Sequence, residues 1–436
     1  MPSLTTHNTP ALRFPGYTGV WEQRPQLRFK NKNGEDYPNW EKDILDNVGT
    51  FIKGAPLSKN DISEKGTPFI LYGELYTTYN EITKHVVRRT KTDVADRYYS
   101  IAGDVVIPAS GETPDEISTA TCVMKDGVIL AGDLLIYRTI DTIDGRMMSY
   151  IINHQINNDI SRIAQGKSVV HIQAKELGQI TFECPSLAEQ QKIADFFSKL
   201  DDLLALHQRQ TQKLTELKQG LLQKMFPREG ESVPRLRFPG FTTHWKQQKL
   251  GDIGKTYTGL SGKSKTDFGH GKAHFVTYMN VYSHPVADIN QVDSCEIDSK
   301  QHEVQYGDVF FTTSSETPDE VGMSSVWLGN TENTYLNSFC FGYRPDQQMD
   351  PYFMAYILRS PTLRDQFILL AQGISRYNIS KNKAMDIKLS LPSLSEQQKI
   401  GSFFHHFDDL INLHERYVMI LIHLKKGLLQ KMFPQD

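Results

Sequence analysis

The sequence predicts an α/β (α+β) fold of two similar domains joined by two long antiparallel α-helices in a pseudo-two-fold dumbbell. Two observations lead to this fold class. The chain has 436 residues, which is too long for one compact domain. Its halves also repeat each other, since residues 185–227 and 392–434 are identical at 27 of 43 positions without a gap. The two copies begin 207 positions apart (392 − 185), so the repeat unit is a whole duplicated domain with its tail and not a solenoid module.

Composition is typical of a globular cytoplasmic protein. Hydrophobic residues make up 39% of the chain and charged residues 23%, and no apolar run is long enough for a membrane span. The first nine residues lack the pattern of a secretory signal. The four cysteines form no CxxC pair, which argues against a zinc site and fits a reducing compartment. Because the net charge is −3, any binding of nucleic acid has to depend on local basic patches.

The repeat predicts five segments in order. Leu-Arg-Phe occurs at 12–14, 27–29 and 236–238, so the N-terminus is interpreted as an extra copy of the segment that opens each domain, with a poorly ordered leader as the alternative. The predicted boundaries are 1–34 for this extra segment, 35–185 for the first domain, 186–227 for the first helix, 228–392 for the second domain and 393–436 for the second helix.

Each domain carries the same anchors between divergent stretches. Gly103-Asp104-Val105 and Glu-Thr-Pro-Asp-Glu at 112–116 recur at 307–309 and 316–320. We expect the acidic segment to form a surface turn or helix start with proline first, and a metal site is the alternative. The repeated tyrosines are expected to be core residues of strands: Tyr72, Tyr76, Tyr79, Tyr278 and Tyr282. Residues 77–100 and 283–300 share almost nothing, so the domains are predicted to bind different targets.

The repeated tails have the pattern of long helices that pack on a partner helix. Prolines precede both, and Ser186–Glu189 and Ser393–Glu396 fit capping boxes. Residues 193–225 alone would span about 50 Å. Apolar residues recur along both tails at heptad spacing. The predicted partner and spacer positions are Ile193, Phe197, Leu200, Leu204, His207, Leu214 and Leu221, then Ile400, Phe404, Phe407, Ile411, His414, Leu421 and Leu428.

Connectivity predicts that the two helices run in opposite directions. The first helix leads from the first domain to the second, and the second helix begins at the second domain, so it has to return if the two pack together. His207 and His414 fall in the middle of the stripes and are interpreted as polar residues that set the register, with a metal or pH-sensing role as the alternative. Two divergent domains on such a spacer suit two DNA half-sites.

The arrangement resembles the specificity (S) subunit of type I restriction-modification enzymes. The resemblance is carried by P-x-L-x-E-Q-x-x-I at 185–193 and 392–400, by G-L-L-Q-K-M-F at 220–226 and 427–433, and by L-R-F-P-G at 12–16 and 236–240. It implies two target-recognition domains that each read half of a bipartite asymmetric DNA sequence. It further implies that the helices dock two methyltransferase (M) subunits, which bind S-adenosylmethionine, and that restriction (R) subunits join the complex.

Motifs of the obvious enzymes are missing from the sequence. No two prolines are adjacent, which excludes the Pro-Pro motif of adenine methyltransferases. Within residues 254–264, Gly254 and Gly259 have the glycine spacing of a P-loop, but Leu260 follows in place of lysine, and only two residues separate Gly259 from Gly262 before Lys263-Ser264. We interpret that stretch as a flexible loop. Asp288 with Asp298-Ser299-Lys300 is a short nuclease-like match without a counterpart in the first half. We therefore predict a non-catalytic chain with no metal ligand and no cofactor of its own.

Candidate DNA contacts come from three places: a basic run in the first domain, a lysine-rich glycine stretch in the second, and the loop before each tail. Lysine and arginine would bind phosphates, and arginine and asparagine are suited to base edges. The residues are Lys84, Arg88, Arg89, Lys167 and Ser168, then Lys263, Lys265, Arg376, Tyr377, Asn378 and Lys381. Two other hypotheses are a helical adaptor whose domains bind proteins and not DNA, and a self-sufficient nuclease or methyltransferase.

Overall fold

The structure, a computed structural model, describes residues 27–166 and 168–433. It divides into two units. The first contains residues up to 206 together with those from 417 onward, and the second contains residues 207–416. Each unit therefore combines one domain with the first half of one long helix and the second half of the other. Residues 1–26 of the predicted extra segment, and the predicted contact Lys167, lie outside the described residues.

The first domain is built on a five-stranded sheet of order β2-β10-β6-β8-β4 beside a three-stranded sheet of order β5-β3-β9. Two short pairs, β1 with β12 and β7 with β11, complete it. The strands are β1 Glu41–Ile44, β2 Gly49–Lys53, β3 Thr67–Leu71, β4 Ile82–Thr83, β5 Arg88–Thr90, β6 Asp104–Pro108, β7 Ser110–Gly111, β8 Thr121–Val123, β9 Ile129–Ala131, β10 Leu134–Thr139, β11 Val170–His171 and β12 Thr181–Cys184. The helices are α1 Leu45–Val48, α2 Pro114–Ile117, α3 Gly145–His154, α4 Asn157–Ile163, α5 Ala174–Leu177 and α6 Leu187–Met225.

Strand β6 shows why this sheet lies between two apolar layers. Its side chains alternate, because successive residues of a strand point to opposite faces. Val105 and Ile107 pack in a cluster with α3 and the start of α6, whereas Val106 packs on the other face against Ile70 and Leu130. Both faces are buried, so this strand is a continuous hydrophobic run after Asp104.

The second domain repeats this plan with the sheet order β14-β21-β17-β19 and a smaller sheet of order β16-β15-β20. Its strands are β13 Lys246–Lys249, β14 Gly254–Thr258, β15 Phe268–Val276, β16 Val292–Cys295, β17 Val309–Thr312, β18 Ser314–Ser315, β19 Ser324–Val326, β20 Thr334–Leu336, β21 Cys340–Pro345, β22 Tyr377–Asn378 and β23 Lys388–Leu391. Its helices are α7 Tyr278–Ser283, α8 Pro351–Ile357, α9 Pro361–Leu369, α10 Lys381–Ala384 and α11 Leu394–Met432. The predicted repeat of α/β domains with long helices is confirmed.

The same hydrogen bonds recur in both domains at equivalent positions. Asp104 at the start of β6 accepts two bonds from Arg138, at 2.8 and 2.7 Å. Asp308, which precedes β17, accepts two from Arg344, at 2.7 and 2.8 Å. Both aspartates are nearly fully buried, so the repeated Gly-Asp-Val motif is structural. A buried carboxylate is tolerated because a bidentate arginine satisfies it.

The interpretation of residues 254–264 as a flexible loop is wrong for its first half. Gly254–Thr258 is strand β14 and pairs antiparallel with β21. The alternation of Thr256 and Thr258 with Lys255 and Tyr257 favours a strand, and the glycine at its start lies so close to Tyr343 that a Cβ atom would collide with the ring.

Helices α6 and α11 are antiparallel within each unit, as predicted. In the second unit, His207 Nδ1 lies 2.8 Å from His414 Nδ1, and Lys218 pairs with Asp408. Residue numbers therefore rise along α6 as they fall along α11. In the first unit, the start of α6 packs in one cluster with the end of α11, and Lys425 Nζ lies 2.8 Å from Asp201 Oδ1.

The Leu-Arg-Phe copy at 27–29 is the structural counterpart of the copy at 236–238. Arg28 donates to both oxygens of buried Glu189, at 3.2 and 2.6 Å, and Arg237 donates to both oxygens of Glu396, at 2.6 and 2.7 Å. Phe29 and Phe238 contact Phe196 and Phe403 edge-on, each at 5.4 Å. Both glutamates, expected to be capping-box residues, therefore fasten the opening segment of each domain to the start of its helix.

Candidate nucleic-acid interface

In each domain a short antiparallel ladder brings the loop before the long helix next to the repeated acidic segment. Strand β11 pairs with β7, and β22 pairs with β18. The acidic segments follow β7 and β18 directly. They form the expected turn or helix start, since Pro114 begins α2 and Pro318 begins a 3-10 turn. Two features that lie about 50 residues apart in the sequence thus meet at one edge of each domain.

A cleft of about 800 Å³ opens at this edge of the first domain. Its lining includes Tyr72, Tyr76, Arg88, Glu112 and Val169. Arg88 is one of the predicted DNA contacts, and Val169 follows Ser168, which is exposed. The Arg88 guanidinium forms an ion pair with nearly buried Glu74, so part of its charge is already balanced within the domain.

The second domain has a cleft at the equivalent place, with a volume of about 340 Å³. Tyr278 and Tyr282 correspond to Tyr72 and Tyr76, and their rings are stacked with centroids 6.2 Å apart. Arg376 occupies the position of Val169 and also lines the cleft. The two clefts therefore share a framework and differ in the side chains placed on it.

The expectation that these tyrosines are core residues of strands is wrong. Tyr278 and Tyr282 lie on α7, and Tyr72 lies on a 3-10 turn that Tyr76 follows closely. All four are half-buried, so one side packs on the domain and the other faces the cleft. Tyr79 fits the expectation better, because it packs against the apolar cluster of Val106 and Leu130. Aromatic residues in a short sequence window do not distinguish a strand from a turn at a cleft.

The repeated glutamates of the acidic segments are held in place by neighbouring groups. Glu320 accepts hydrogen bonds from Ser315 Oγ at 2.7 Å and Tyr282 Oη at 2.9 Å, and these bonds lower its pKa. In the first domain, Glu116 accepts from the backbone N–H of Glu112 at 2.7 Å. These bonds give both carboxylates a structural role. Among the described residues, no group of three or more His, Cys, Asp or Glu side chains is placed to hold a metal ion.

Several predicted DNA contacts lie away from the clefts or have carboxylate partners. Lys84 pairs with Asp202 on α6, with Nζ 2.9 Å from Oδ2. Lys263 pairs with Asp298 at 2.8 Å. Arg89 bonds to the Gly66 carbonyl at 3.0 Å. Lys265 is exposed on a 3-10 turn, and Lys381 begins α10.

Tyr377 and Asn378 form β22 next to the second cleft. Asn378 is exposed and Tyr377 is half-buried. Of the predicted contacts, Arg88, Ser168, Arg376, Tyr377 and Asn378 therefore lie at or beside the two clefts. Sequence reasoning missed the tyrosine pairs as part of this surface, although their recurrence in both halves was a usable signal.

The nuclease-like match of the second domain is a structural turn. Asp298 accepts from Lys263, from the backbone N–H of Lys300 at 3.0 Å and from Gln301 at 3.2 Å. Hydrogen bonds from Lys263, Lys300 and Gln301 lower its pKa to about 2. The carboxylate is thus engaged in closing a loop.

The predicted stripes of α6 and α11 lie on the inner side of the helices. Ile193, Phe197, Leu200, Ile400 and Phe404 are buried. The other predicted positions are half-buried, namely Leu204, His207, Leu214, Leu221, Phe407, Ile411, His414, Leu421 and Leu428. The histidines face each other within the stripe, in keeping with the register interpretation.

In each unit, a lysine, an aspartate and a tyrosine connect the domain to both helices through an ion pair and a hydrogen bond. In the second unit, Asp408 of α11 accepts from Tyr356 Oη at 2.7 Å and pairs with Lys218 of α6. In the first unit, Lys425 of α11 binds Asp201 of α6 at 2.8 Å, and Tyr150 lies near the same carboxylate. Because Lys218 and Lys425 occupy the same place in the repeat, the two ties are equivalent.

Apolar side chains also remain exposed on the outer faces of these helices. In the first unit they include Leu203 and Leu206 on α6 and Ile420 and Leu424 on α11, and in the second unit Leu217 on α6 and Leu410 and Leu413 on α11. Exposed apolar residues grouped on a helix face usually mark a surface that binds another protein. We call these residues the outer helix face. Among the described residues, no helix is long and apolar enough to cross a membrane.

Two domains of one framework with different clefts, carried on a shared pair of helices, define a two-site recognition protein. Comparison with known proteins gives the family. The profile of the type I restriction modification DNA specificity domain matches residues 37–216 and 243–418, and the chain therefore belongs to this family. The helical adaptor is not favoured by these matches.

Individual relatives agree with this assignment. A specificity subunit assigned to the type I restriction enzyme MjaX of Methanocaldococcus jannaschii is 23% identical and covers 89% of this chain and 91% of its own. The specificity subunit of the type I restriction enzyme MjaVIII from the same organism is 21% identical with the same coverage. The crystal structure of the type I restriction-modification S subunit from M. genitalium has the same fold, with a TM-score of 0.61 at 16% identity, and covers 95% of this chain and 100% of its own.

Proposed function

We propose that this chain selects the DNA sequence for a type I restriction-modification complex, with each domain reading one half of a bipartite asymmetric site. The observation that carries the proposal is the pair of equivalent clefts. Tyr72 and Tyr76 in one cleft match Tyr278 and Tyr282 in the other, whereas the position held by Val169 in the first is held by Arg376 in the second. A shared framework with different side chains suits two domains that both bind DNA but recognise different base sequences.

The charges beside the clefts suit duplex DNA. Lys381 and Lys383 lie on α10, which follows Asn378 closely in the chain, and they would bind phosphates, which supply affinity without sequence information. Arg376 and Asn378 have the side chains that reach guanine and adenine edges in the major groove. The net charge of −3 means that this affinity depends on the local surface and on partner subunits.

The two long helices would have two roles in the complex. Their length would set the number of base pairs between the half-sites, and the outer helix face would dock the two M subunits. The M subunits would carry S-adenosylmethionine and transfer the methyl group, and R subunits would join for cleavage. The chain itself would be non-catalytic and would work with these subunits in the cytoplasm.

Equilibrium DNA binding by the complex of this chain with M subunits tests the proposal. We expect a preference for one bipartite sequence and an affinity that falls with rising salt, because bound phosphates release counterions. The isolated chain should neither methylate nor cut DNA. Assembly with M subunits but no preference for any DNA sequence would support the protein-binding adaptor instead.

The docking surface is tested by a lysine on the outer helix face. Ile420→Lys places a charge in an exposed apolar position and should weaken binding of M subunits at least tenfold, because the charge would be buried on docking. Gln208→Lys, at an exposed polar position of α6, is the matched control and should bind M subunits normally. Equal binding by both variants would place the docking surface elsewhere.

A further inference from the structure

The two clefts differ in the positions that carry exposed apolar side chains. In the second domain, Phe339 is 60% exposed, Met279 is 54% exposed and Ile374 is 96% exposed. The residues at these positions of the repeat in the first domain are Gly73, Asp133 and Lys167. Gly73 and Asp133 line the first cleft, as Met279 and Phe339 line the second. At these three positions, exposed apolar side chains are present in the second domain and absent from the first.

This apolar surface lies beside side chains suited to base edges. The Phe339 carbonyl accepts from the Thr313 N–H at 2.9 Å, and the Thr313 carbonyl accepts from the Ile379 N–H at 3.0 Å. The antiparallel pairing continues with Ser314, which follows Thr313, opposite Asn378, which precedes Ile379. Phe339 and Asn378 thus lie on two segments that flank Thr313, the residue between β17 and β18.

The Arg376 guanidinium of this cleft is accessible to a ligand. Arg376 is exposed and lines the same cavity as Met279 and Phe339. Within the part of the chain that the structure describes, no ion pair to its guanidinium is found, whereas Arg88 of the first cleft pairs with Glu74. The carboxylate of Glu320 faces the cavity but already accepts from Tyr282 and Ser315, and Glu316 is exposed at its rim.

The apolar group that a base pair presents in the major groove is the C5-methyl of thymine. We propose that the second domain reads at least one A·T pair through this methyl group, with Phe339 and Met279 as the contact surface and Asn378 as the partner of the adenine. The inference rests on the proposed function and names the kind of base pair that this cleft accepts. A side chain that wedges between bases would have to project from the surface, and these two residues line a concavity.

Deoxyuridine substitution tests the inference, because it removes the methyl group and keeps Watson–Crick pairing. The complex of this chain with M subunits is first assigned its bipartite site, and exchange of the second domain identifies the half-site that this domain reads. Each thymine in both half-sites is then replaced in turn by deoxyuridine, and duplex affinity is measured. We expect about a fourfold loss at one or more thymines of the second domain's half-site, which is the value of one buried methyl group.

Variants show whether Phe339 and Met279 make this contact. The double variant Phe339→Ala, Met279→Ala should bind thymine and deoxyuridine duplexes equally. The matched control is Leu369→Ala, which removes an 83% exposed apolar side chain of the same domain that is not among the residues lining the cleft. This control should keep the fourfold difference.

The outcomes separate this inference from the proposed function. Sequence-specific binding without any deoxyuridine penalty, or a second half-site without an A·T pair, would overturn the inference and leave the proposed function standing. A penalty that persists in the double variant would also overturn it. If the double variant loses M subunits and keeps its DNA preference, the surface docks protein instead. Absence of all sequence preference would refute the proposed function itself.

Discussion

The buried charged residues fasten each domain to the helices. Glu189 and Glu396 are almost inaccessible, and each is satisfied by two bonds from an arginine of the opening segment. A buried carboxylate without such a partner would cost several kcal/mol. The repeated P-x-L-x-E-Q motif is therefore explained by packing and gives no evidence of a binding site.

The Glu81 carboxylate should make the free energy of unfolding of the first unit fall as the pH is lowered below about 4.5. Burial raises its pKa, but hydrogen bonds from His154 and Lys425, together with the charge of Lys425, lower the pKa to about 2. This stabilisation is complete above the unfolded pKa near 4.5 and is lost as the pH falls toward 2. Glu81→Gln should lower the free energy of unfolding at pH 7 by about 3 kcal/mol and flatten its pH dependence between 4.5 and 2.

Urea unfolding followed at several pH values measures this effect. Glu183→Gln is the matched control, because Glu183 pairs with Lys42 at 3.5 Å on the surface, and it should cost less than about 1 kcal/mol. Equal pH profiles for the wild type and Glu81→Gln would contradict the prediction.

Arg359 should be a structural residue of the second domain, where it holds the end of α7. Its guanidinium donates to the carbonyls of Ser324, Val281, Tyr282 and His284, at 2.7 to 2.9 Å. Burial lowers its pKa to about 10. Arg359→Met should destabilise the second unit by about 3 kcal/mol, because buried carbonyls lose their donor. Thermal unfolding compared with Arg416→Met, at an exposed helix position, checks this, and similar losses would contradict it.

At the scale of elements, the long helices complete both domains. The C-terminal part of α11 belongs to the first unit, where Leu429, Met432 and Phe433 are buried with Ile193 and Phe197 of α6. Each domain therefore depends on a helix that follows the other domain in the sequence. The repeat alone would permit this arrangement, and the buried contacts of each unit establish it.

Deletion of residues 417–436 should consequently destabilise the first unit. The truncated chain loses the buried end of α11 and the Lys425 ammonium, leaving Glu81 and Asp201 without their shared cation. We expect faster proteolysis within residues 27–206 than within 207–416, measured by limited digestion and mass spectrometry. Uniform protection of both parts would show that this segment is dispensable.

Insertion of one heptad into each long helix should change the spacing of the DNA half-sites. Seven residues preserve the apolar stripe and add about 10 Å of helix, or about three base pairs at 3.4 Å per step. Inserting them next to His207 and His414, whose Nδ1 atoms lie 2.8 Å apart, keeps the two insertions opposite each other. Mapping of methylated adenines checks the spacing, and an unchanged spacer would refute a spacing role for the helices.

At the scale of the whole molecule, duplication separates what is shared from what is specific. The shared parts are the sheets, the buried aspartate–arginine pairs and the lysine–aspartate ties to the helices. The side chains of the clefts differ between the halves. Such a plan lets one domain change its ligand without disturbing the other.

Exchange of residues 228–392 for the corresponding domain of another specificity subunit should therefore alter only one half of the recognised sequence. The first half-site should stay the same, because its cleft is built entirely within the first unit. Methylome sequencing of a host carrying the hybrid gives the readout. A change in both half-sites would mean that the domains do not read independently.

The sequence by itself determined the duplication, the two long helices with their inward stripes, and the family. The two halves share residue identities, and apolar residues recur at regular spacing along the tails. Both signals are local in the sequence, so they can be recognised without the structure. Only the tertiary structure decided that the tyrosines line clefts, that Lys263 and Arg88 already have carboxylate partners, and that the end of α11 belongs with the first domain. These are contacts between residues far apart in sequence, and their formation depends on how the packed elements bring side chains together, which spacing along one segment does not encode.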